Sequence, residues 1–148
     1  MNISPLTLKD CQTAATLHKQ AFFKGWEESV FQEFLQAPLT FGLKIEDNDT
    51  LSGYILWREI QDEAEILTLV VASSSRRKGC GGALLSTLYT ILKDKGIDRL
   101  FIEVAEDNEA GIPFYAKQGF VFSGKRPHYY PREKNQYVCA LNFFKDLV

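Results

Sequence analysis

The stretch Ile66-Leu67-Thr68-Leu69-Val70-Val71-Ala72-Ser73-Ser74-Ser75-Arg76-Arg77-Lys78-Gly79-Cys80-Gly81-Gly82-Ala83-Leu84-Leu85 decides the fold. Its first six residues form a near-continuous apolar run, the pattern of a strand covered on both faces. A polar, glycine-rich turn follows from Ser73 to Gly82. Beyond it Leu84, Leu85, Leu88, Ile91 and Leu92 make the apolar stripe of a helix that runs to about Lys95, where Gly96 is a natural C-terminal cap. A buried strand feeding a helix through a glycine turn is the repeating unit of an α/β sheet.

Working outward, residues 2–8 suit a first strand. Ala14, Ala15, Leu17 and Ala21 recur at helical spacing between Asp10 and Phe22, with Asp10 as the expected N-cap. Val30, Phe31, Phe34 and Leu35 predict a second helix over 27–36, limited by Pro38. Residues 40–46 and 51–60 read as a hairpin around the turn residues Asp47-Asn48-Asp49, and 65–72 is the buried strand. After the central helix come a strand at 98–105, a short helix ending near Gln118 and closed by Gly119, and strands near 120–125 and 136–144. Pro113 disfavours a helix running unbroken from Asn108, so that helix is expected to begin nearer Gly111. The class is α/β (α+β), a mixed sheet with helices on its faces. No repeat, linker or low-complexity run divides the chain, so residues 1–148 are expected to form a single domain.

Composition narrows the function. The chain has 148 residues with 17 Lys+Arg against 19 Asp+Glu, a net charge of −2. A general nucleic-acid binder should be basic, so direct nucleic-acid binding is not expected. There is no run of 18 apolar residues and no basic-then-apolar leader, so neither a membrane span nor secretion is expected. The three cysteines, Cys11, Cys80 and Cys139, form no CxxC pair, and His18 and His128 lie at no metal-ligand spacing. A disulfide framework or a metal site is therefore not expected, and reduced thiols fit the cytoplasm. No GxSxG nucleophile elbow is present.

The turn Arg76-Arg77-Lys78-Gly79-Cys80-Gly81-Gly82 sits where a helix begins. The first N–H groups of a helix lack intrahelical partners, the dipole favours negative charge there, and glycines let an anion come close. The alternative is a tight turn with solvated cations. A P-loop would need Lys-Ser or Lys-Thr after the last glycine, and a dinucleotide fold would need a glycine where Leu84 stands. What remains, RxxGxG after a strand, resembles the pyrophosphate loop of the GNAT acyltransferases, which bind acetyl-CoA.

The segment Glu103-Val104-Ala105-Glu106-Asp107-Asn108-Glu109-Ala110-Gly111-Ile112-Pro113-Phe114-Tyr115-Ala116-Lys117-Gln118-Gly119-Phe120 looks like the second acyl-CoA segment of the same superfamily. Glu103 ends the apolar run Leu100-Phe101-Ile102; it is either a candidate general base or a strand-end carboxylate reaching water. Tyr115 has a phenol that could protonate a thiolate, or it is a core aromatic. Asn108 caps the helix, contacts a cofactor, or does both. Glu106, Asp107 and Glu109, with Glu103, either attract a cationic acceptor or form a solvated rim.

Over nearly its whole length the chain resembles the bacterial ribosomal-protein alanine N-acetyltransferases, a GNAT family. The match includes Trp26-Glu27-Glu28 with Phe31, the loop at 76–82, the segment from Glu103 to Phe120, and Arg126 with Tyr129-Tyr130-Pro131. Gly25 stands where that family often has Pro, Arg76 where Gln is common, and Cys80 where a larger aliphatic is usual. The resemblance implies a GNAT fold of about seven mostly antiparallel strands and four helices. It implies Glu103 as general base and Tyr115 as general acid. Cofactor contacts are implied from Leu69, Val70 and Val71, from Arg76, Arg77, Lys78, Gly79, Cys80, Gly81 and Gly82, and from Asn108. It further implies acetyl-CoA as donor and a protein N-terminus as acceptor, that of a ribosomal protein in the family it resembles. A small-molecule amine acetyltransferase and a non-catalytic acyl-CoA module are the alternatives.

Overall fold

The computed structural model describes residues 1–148. β1 (Asn2–Pro5) leads through a 3-10 turn into α1 (Cys11–Ala21) and α2 (Glu28–Gln36). The hairpin β2 (Thr40–Asp47) and β3 (Thr50–Ile60) is followed by β4 (Glu63–Val71), α3 (Cys80–Asp94), β5 (Arg99–Ala105), α4 (Gly111–Lys117), β6 (Val121–Pro131) and β7 (Tyr137–Asp146). The seven strands form one sheet in the order β1-β2-β3-β4-β5-β7-β6. Only β4 and β5 run parallel, as a strand–helix–strand crossover through α3 requires. No helix is long and apolar enough to cross a membrane.

Local chemistry explains the element ends. Asn48 and Asp49 both take positive φ, 50° and 63°, between Asp47 and its partner Thr50, the geometry of a two-residue hairpin turn. Gly96 and Gly119 take φ of 75° and 90° just past α3 and α4. There the Phe120 N–H reaches back to the Tyr115 carbonyl at 3.0 Å, closing the last turn of α4. α4 begins at Gly111, which puts Pro113 in its first turn, where a missing N–H loses nothing.

Three expectations shift. Asp10 holds the N-cap position of α1 but makes no side-chain cap there; its carboxylate turns back to accept the Thr7 N–H at 2.8 Å and stabilises the 3-10 turn Leu8–Asp10 that shortens β1. β6 runs six residues beyond the expected 125, to Pro131, because the irregular segment after Arg126 rejoins β7 at Tyr130. β4 is not covered evenly: Ile66, Thr68 and Val70 are buried while Leu67, Leu69 and Val71 are half-buried.

The two faces carry separate cores. Ile55, Trp57, Ala64, Ile66, Leu100, Ile102 and Val104 pack under Leu84, Leu85, Leu88 and Leu92 of α3. Tyr54, Leu56 and Val70 pack under Cys11, Ala14 and Ala15 of α1 and Phe31 of α2. Ile66 and Val70 lie on opposite faces although they are four residues apart. Leu56 pairs with Thr68 and Trp57 with Ile66, so Leu67 is an extra residue, a β-bulge that exchanges the faces of β4 midway.

His18 ties α1 to β4 and to the α1–α2 loop. It is 4% exposed. Its Nδ1 accepts the Trp26 N–H at 2.9 Å, so Nε2 carries the proton and donates to Thr68 Oγ1 at 3.1 Å. The ring stacks on Trp26 at 4.5 Å. Gly25 is required beside it, since a Cβ there would stand 2.6 Å from the His18 carbonyl oxygen. Burial pushes the His18 pKa down to about 4. The unfolded chain therefore takes up a proton as pH falls through the ordinary histidine range while the folded chain does not. Stability should fall by about 2 kcal/mol between pH 7 and pH 5. Denaturant unfolding at the two pH values should show this loss in the wild type and not in His18→Gln; an equal loss in both contradicts it.

Candidate active site

The site is built by a failure of pairing. β4 and β5 are in register from Glu63↔Arg99 to Ile66↔Ile102, and there the ladder stops. Yet β4 continues to Val71 and β5 to Ala105. The two strands diverge just past the bulge at Leu67 and leave a split in the middle of the sheet. In an antiparallel pair, residues exchange both hydrogen bonds at alternate positions. The Ala72 N–H donates to the Ser52 carbonyl at 2.8 Å, which makes 70:54 and 68:56 the bonded pairs and 71:53 and 69:55 the non-bonded ones. The N–H groups of Leu69 and Val71 therefore point away from β3, into the split. A cleft of about 310 Å³ opens at this end of β4, lined by Leu17, Ala21, Val71, Ala72, Ser73 and Arg76.

The loop above the split is an unfilled donor array. Not one N–H from Arg77 to Gly82 donates to a backbone carbonyl; the first intrachain bond is Ala83 N–H to Gly79 at 3.0 Å. Arg77 and Gly79 take positive φ, 64° and 80°, which curls the chain around these donors. A Cβ on Gly79 would meet nothing within 4 Å, whereas one on Gly81 would touch the Phe114 ring at 3.1 Å, so α3 and α4 are close-packed here. Arg76 Nε lies 3.5 Å from the Val71 carbonyl and joins the loop to the end of β4. Cys80 contributes only its backbone to this surface: its side chain is 2% exposed and its sulfur rests 3.7 Å from that of Met1.

Glu103, on the part of β5 that has left β4, and Tyr115, in the core under α3, lie on opposite faces of the sheet. The neighbours of Glu103 on β5, Ile102 and Val104, point into the α3 core, so Glu103 points to the other face. Its side chain is 24% exposed and Arg126 Nε stands 3.4 Å from one carboxylate oxygen. Tyr115 is packed edge-on between Phe114 and Phe120 and is 6% exposed. Burial pushes its phenol well above the ordinary range, with Tyr89 adding to it. Its hydroxyl has no partner, yet it is not occluded: Arg58 Nε is the one buried side-chain polar atom without a partner. Asn108 Oδ1 accepts the Gly111 N–H at 2.8 Å, which holds the start of α4, while its NH₂ makes no bond within the chain. Gly111 is needed for this, since a Cβ there would stand 2.5 Å from Asn108 Nδ2.

Of the acidic cluster, most members have structural partners. Glu106 Oε2 accepts the Cys139 N–H at 2.9 Å, and Asp107 forms a fork with Arg132 at 2.8 and 2.7 Å. Both carboxyls are held below the ordinary range, Glu106 first by the Cys139 thiol and then by the Cys139 N–H, and Asp107 first by Arg132. Arg132 was invisible to sequence reasoning because its partner lies 25 residues away. Tyr130 is raised to about 12, first by burial and then by the charge of Glu103. No group of three or more His, Cys, Asp or Glu is placed to hold a metal.

A sheet split in its middle beside a helix start with free N–H groups can hold an extended ligand that carries an anionic group. The sequence model of the Acetyltransferase (GNAT) family matches residues 11–120, and the chain belongs to that family. It is an acetyl-CoA-dependent N-acetyltransferase. It is 30% identical over 129 residues to the [ribosomal protein bS18]-alanine N-acetyltransferase of Salmonella typhimurium, covering 87% of this chain and 86% of the relative. It is 30% identical over 136 residues to the N-alpha-acetyltransferase RimI of Mycobacterium tuberculosis, covering 88% and 84%. The crystal structure of the Escherichia coli ribosomal-protein-S18-alanine N-acetyltransferase superimposes with a TM-score of 0.91 at 26% identity, over 99% of this chain and 93% of that one.

The donor array predicts a hydrogen-exchange pattern. Backbone amides from Arg77 to Gly82 should exchange fast in the free chain, having no acceptor. Saturating CoA should protect them. Equal exchange with and without CoA contradicts the assignment.

Proposed function

We propose that this chain transfers the acetyl group of acetyl-CoA to the N-terminal α-amine of a protein, with an N-terminal alanine of a small-subunit ribosomal protein as acceptor. The acceptor rests on the relatives, which carry that substrate in their names. The observation that carries the chemistry is the split between β4 and β5, which opens the middle of the sheet between an anion cradle and a carboxylate.

In this reading the CoA pyrophosphate lies against the N–H groups of Arg77 to Gly82, with Arg76, Arg77 and Lys78 adding attraction. The pantetheine arm replaces the missing strand partner along Leu69, Val70 and Val71, and Asn108 offers its free NH₂. The Val71 N–H faces the thioester carbonyl and stabilises the oxyanion that forms on it. The acceptor amine approaches from the Glu103 face. Glu103 takes its proton, directly or through a water, and the neutral amine attacks the thioester without an acyl-enzyme. As the tetrahedral intermediate expels CoA thiolate, the thiolate receives a proton from the Tyr115 hydroxyl, and the extra proton still on the nitrogen is released through water and restores the Tyr115 hydroxyl. That hydroxyl is unpartnered and its high affinity for its proton yields a neutral donor at pH 7.

The acceptor class follows from proton affinity. A peptide α-amine has a pKa of about 7.7–8.0 against about 10.4 for lysine. Deprotonating lysine near neutrality therefore costs about 3.4 kcal/mol more, a large demand on one carboxylate.

A panel of N-terminal peptides assayed with acetyl-CoA should give product with alanine-initiated sequences. Turnover of polyamines or amino sugars alone contradicts the reading. Glu103→Gln should lower kcat/KM by about a hundredfold at pH 6 and by less at pH 9, where the amine is already neutral. A loss that is equal at all pH values would show that Glu103 acts only through structure.

A further inference from the structure

Beyond Ala105, the sheet continues as a two-stranded arm. The last β5–β7 pair is Ala105↔Ala140, while β6 and β7 run on together to Pro131↔Tyr137. A lone two-stranded hairpin is marginal in water. This one is weakened further, because pairing lapses between Arg126 and Tyr130, where His128 takes a φ of 57°. It is fastened to the segment that leaves β5. Glu106 N–H donates to the Cys139 carbonyl at 2.9 Å, and Arg132 forks onto both oxygens of Asp107. The same guanidinium donates to the Pro131 carbonyl at 2.7 Å and lies 5.9 Å from the centre of the Tyr130 ring. Tyr130 meets Tyr129 edge-on at 5.0 Å, Arg126 lies 5.3 Å from the centre of the Tyr129 ring, and Arg126 Nε stands 3.4 Å from the Glu103 carboxylate.

We propose that Asp107 and Arg132 are positioning residues, a latch that holds the β6–β7 arm, whose Tyr130, Tyr129 and Arg126 lead in contact to Glu103, and so shapes the acceptor side of the site. The inference rests on the reaction proposed above and assigns its acceptor geometry to a pair that touches neither substrate. The pair is part-exposed, its side chains 27% and 46% accessible, so it adds little to global stability. What it fixes is local: one end of an arm that has few other ties. A lysine cannot replace the arginine, because the fork needs two parallel N–H groups.

The test measures both substrates separately and the arm itself. Arg132→Gln, Arg132→Lys and Asp107→Asn should each raise KM for an alanine-initiated peptide about tenfold, leave KM for acetyl-CoA unchanged, and keep the thermal midpoint within about 2 °C. The double variant Asp107→Asn/Arg132→Gln should be no worse than either single one, since the two residues form one interaction. Hydrogen exchange of Arg132→Gln should rise across 127–139 and stay unchanged in the β2–β3 hairpin. Unchanged exchange across 127–139 overturns the latch, as does raised exchange with an unaltered peptide KM, a rise in both KM values, or a double variant whose loss is the product of the two. A wild type that acetylates no peptide at all sinks the proposed function instead; the exchange arm then decides the latch without it.

Discussion

The structure depends on one pairing that stops early. A parallel β4–β5 ladder that continued past Ile66↔Ile102 would bury Leu69 and Val71 and satisfy their N–H groups. The bulge at Leu67 prevents it by turning β4 over: Val70 is committed to the α1–α2 core, and the edge that β5 would meet is redirected. The fold can carry such a split because the strands remain anchored on their outer sides. β3 pairs with β4 on both sides of the bulge, from Glu63 to Val71, and β7 pairs with β5 from Arg99 to Ala105. Polar backbone left open in the middle of a sheet is costly when dry, so an extended polar ligand is the natural occupant.

The rest of the site follows from that opening. α3 begins just beyond the end of β4, so its unpaired N–H groups and the cations before them stand over the split. β5 places Glu103 on one face, and α4 brings Tyr115 to the other. A net charge of −2 hides this polarity: three cations at 76–78 precede the free N–H groups of α3, while three of the acids from 103 to 109 are engaged with Arg126, Cys139 and Arg132. The acidic cluster is therefore chiefly a fastening for the β6–β7 arm.

Much of this was legible in the sequence, and for stated reasons. The apolar run at 66–71, the leucine stripe of α3 and the Asn48-Asp49 turn are local signals, written in residues a few positions apart. The glycine loop was legible because helix N-termini and glycines have local chemistry, and the start of α4 because Pro113 tolerates few places. What sequence did not disclose depends on pairing over distance. The bulge at Leu67 leaves no compositional mark, and neither does the fork between Asp107 and Arg132. The full reach of β6 was hidden because pairing lapses after Arg126 and Tyr130 rejoins β7 only beyond that irregular stretch. The family resemblance supplied the roles of Glu103 and Tyr115; local pattern alone left both open.

The claim that the split is the acyl-CoA site is tested most directly by a crystal structure with acetyl-CoA bound. The thioester carbonyl oxygen should lie about 3 Å from the Val71 nitrogen, between β4 and β5, with the pyrophosphate over residues 77–82. A cofactor bound elsewhere, or strands that close into a continuous ladder beyond Ile66 and Ile102, would contradict it.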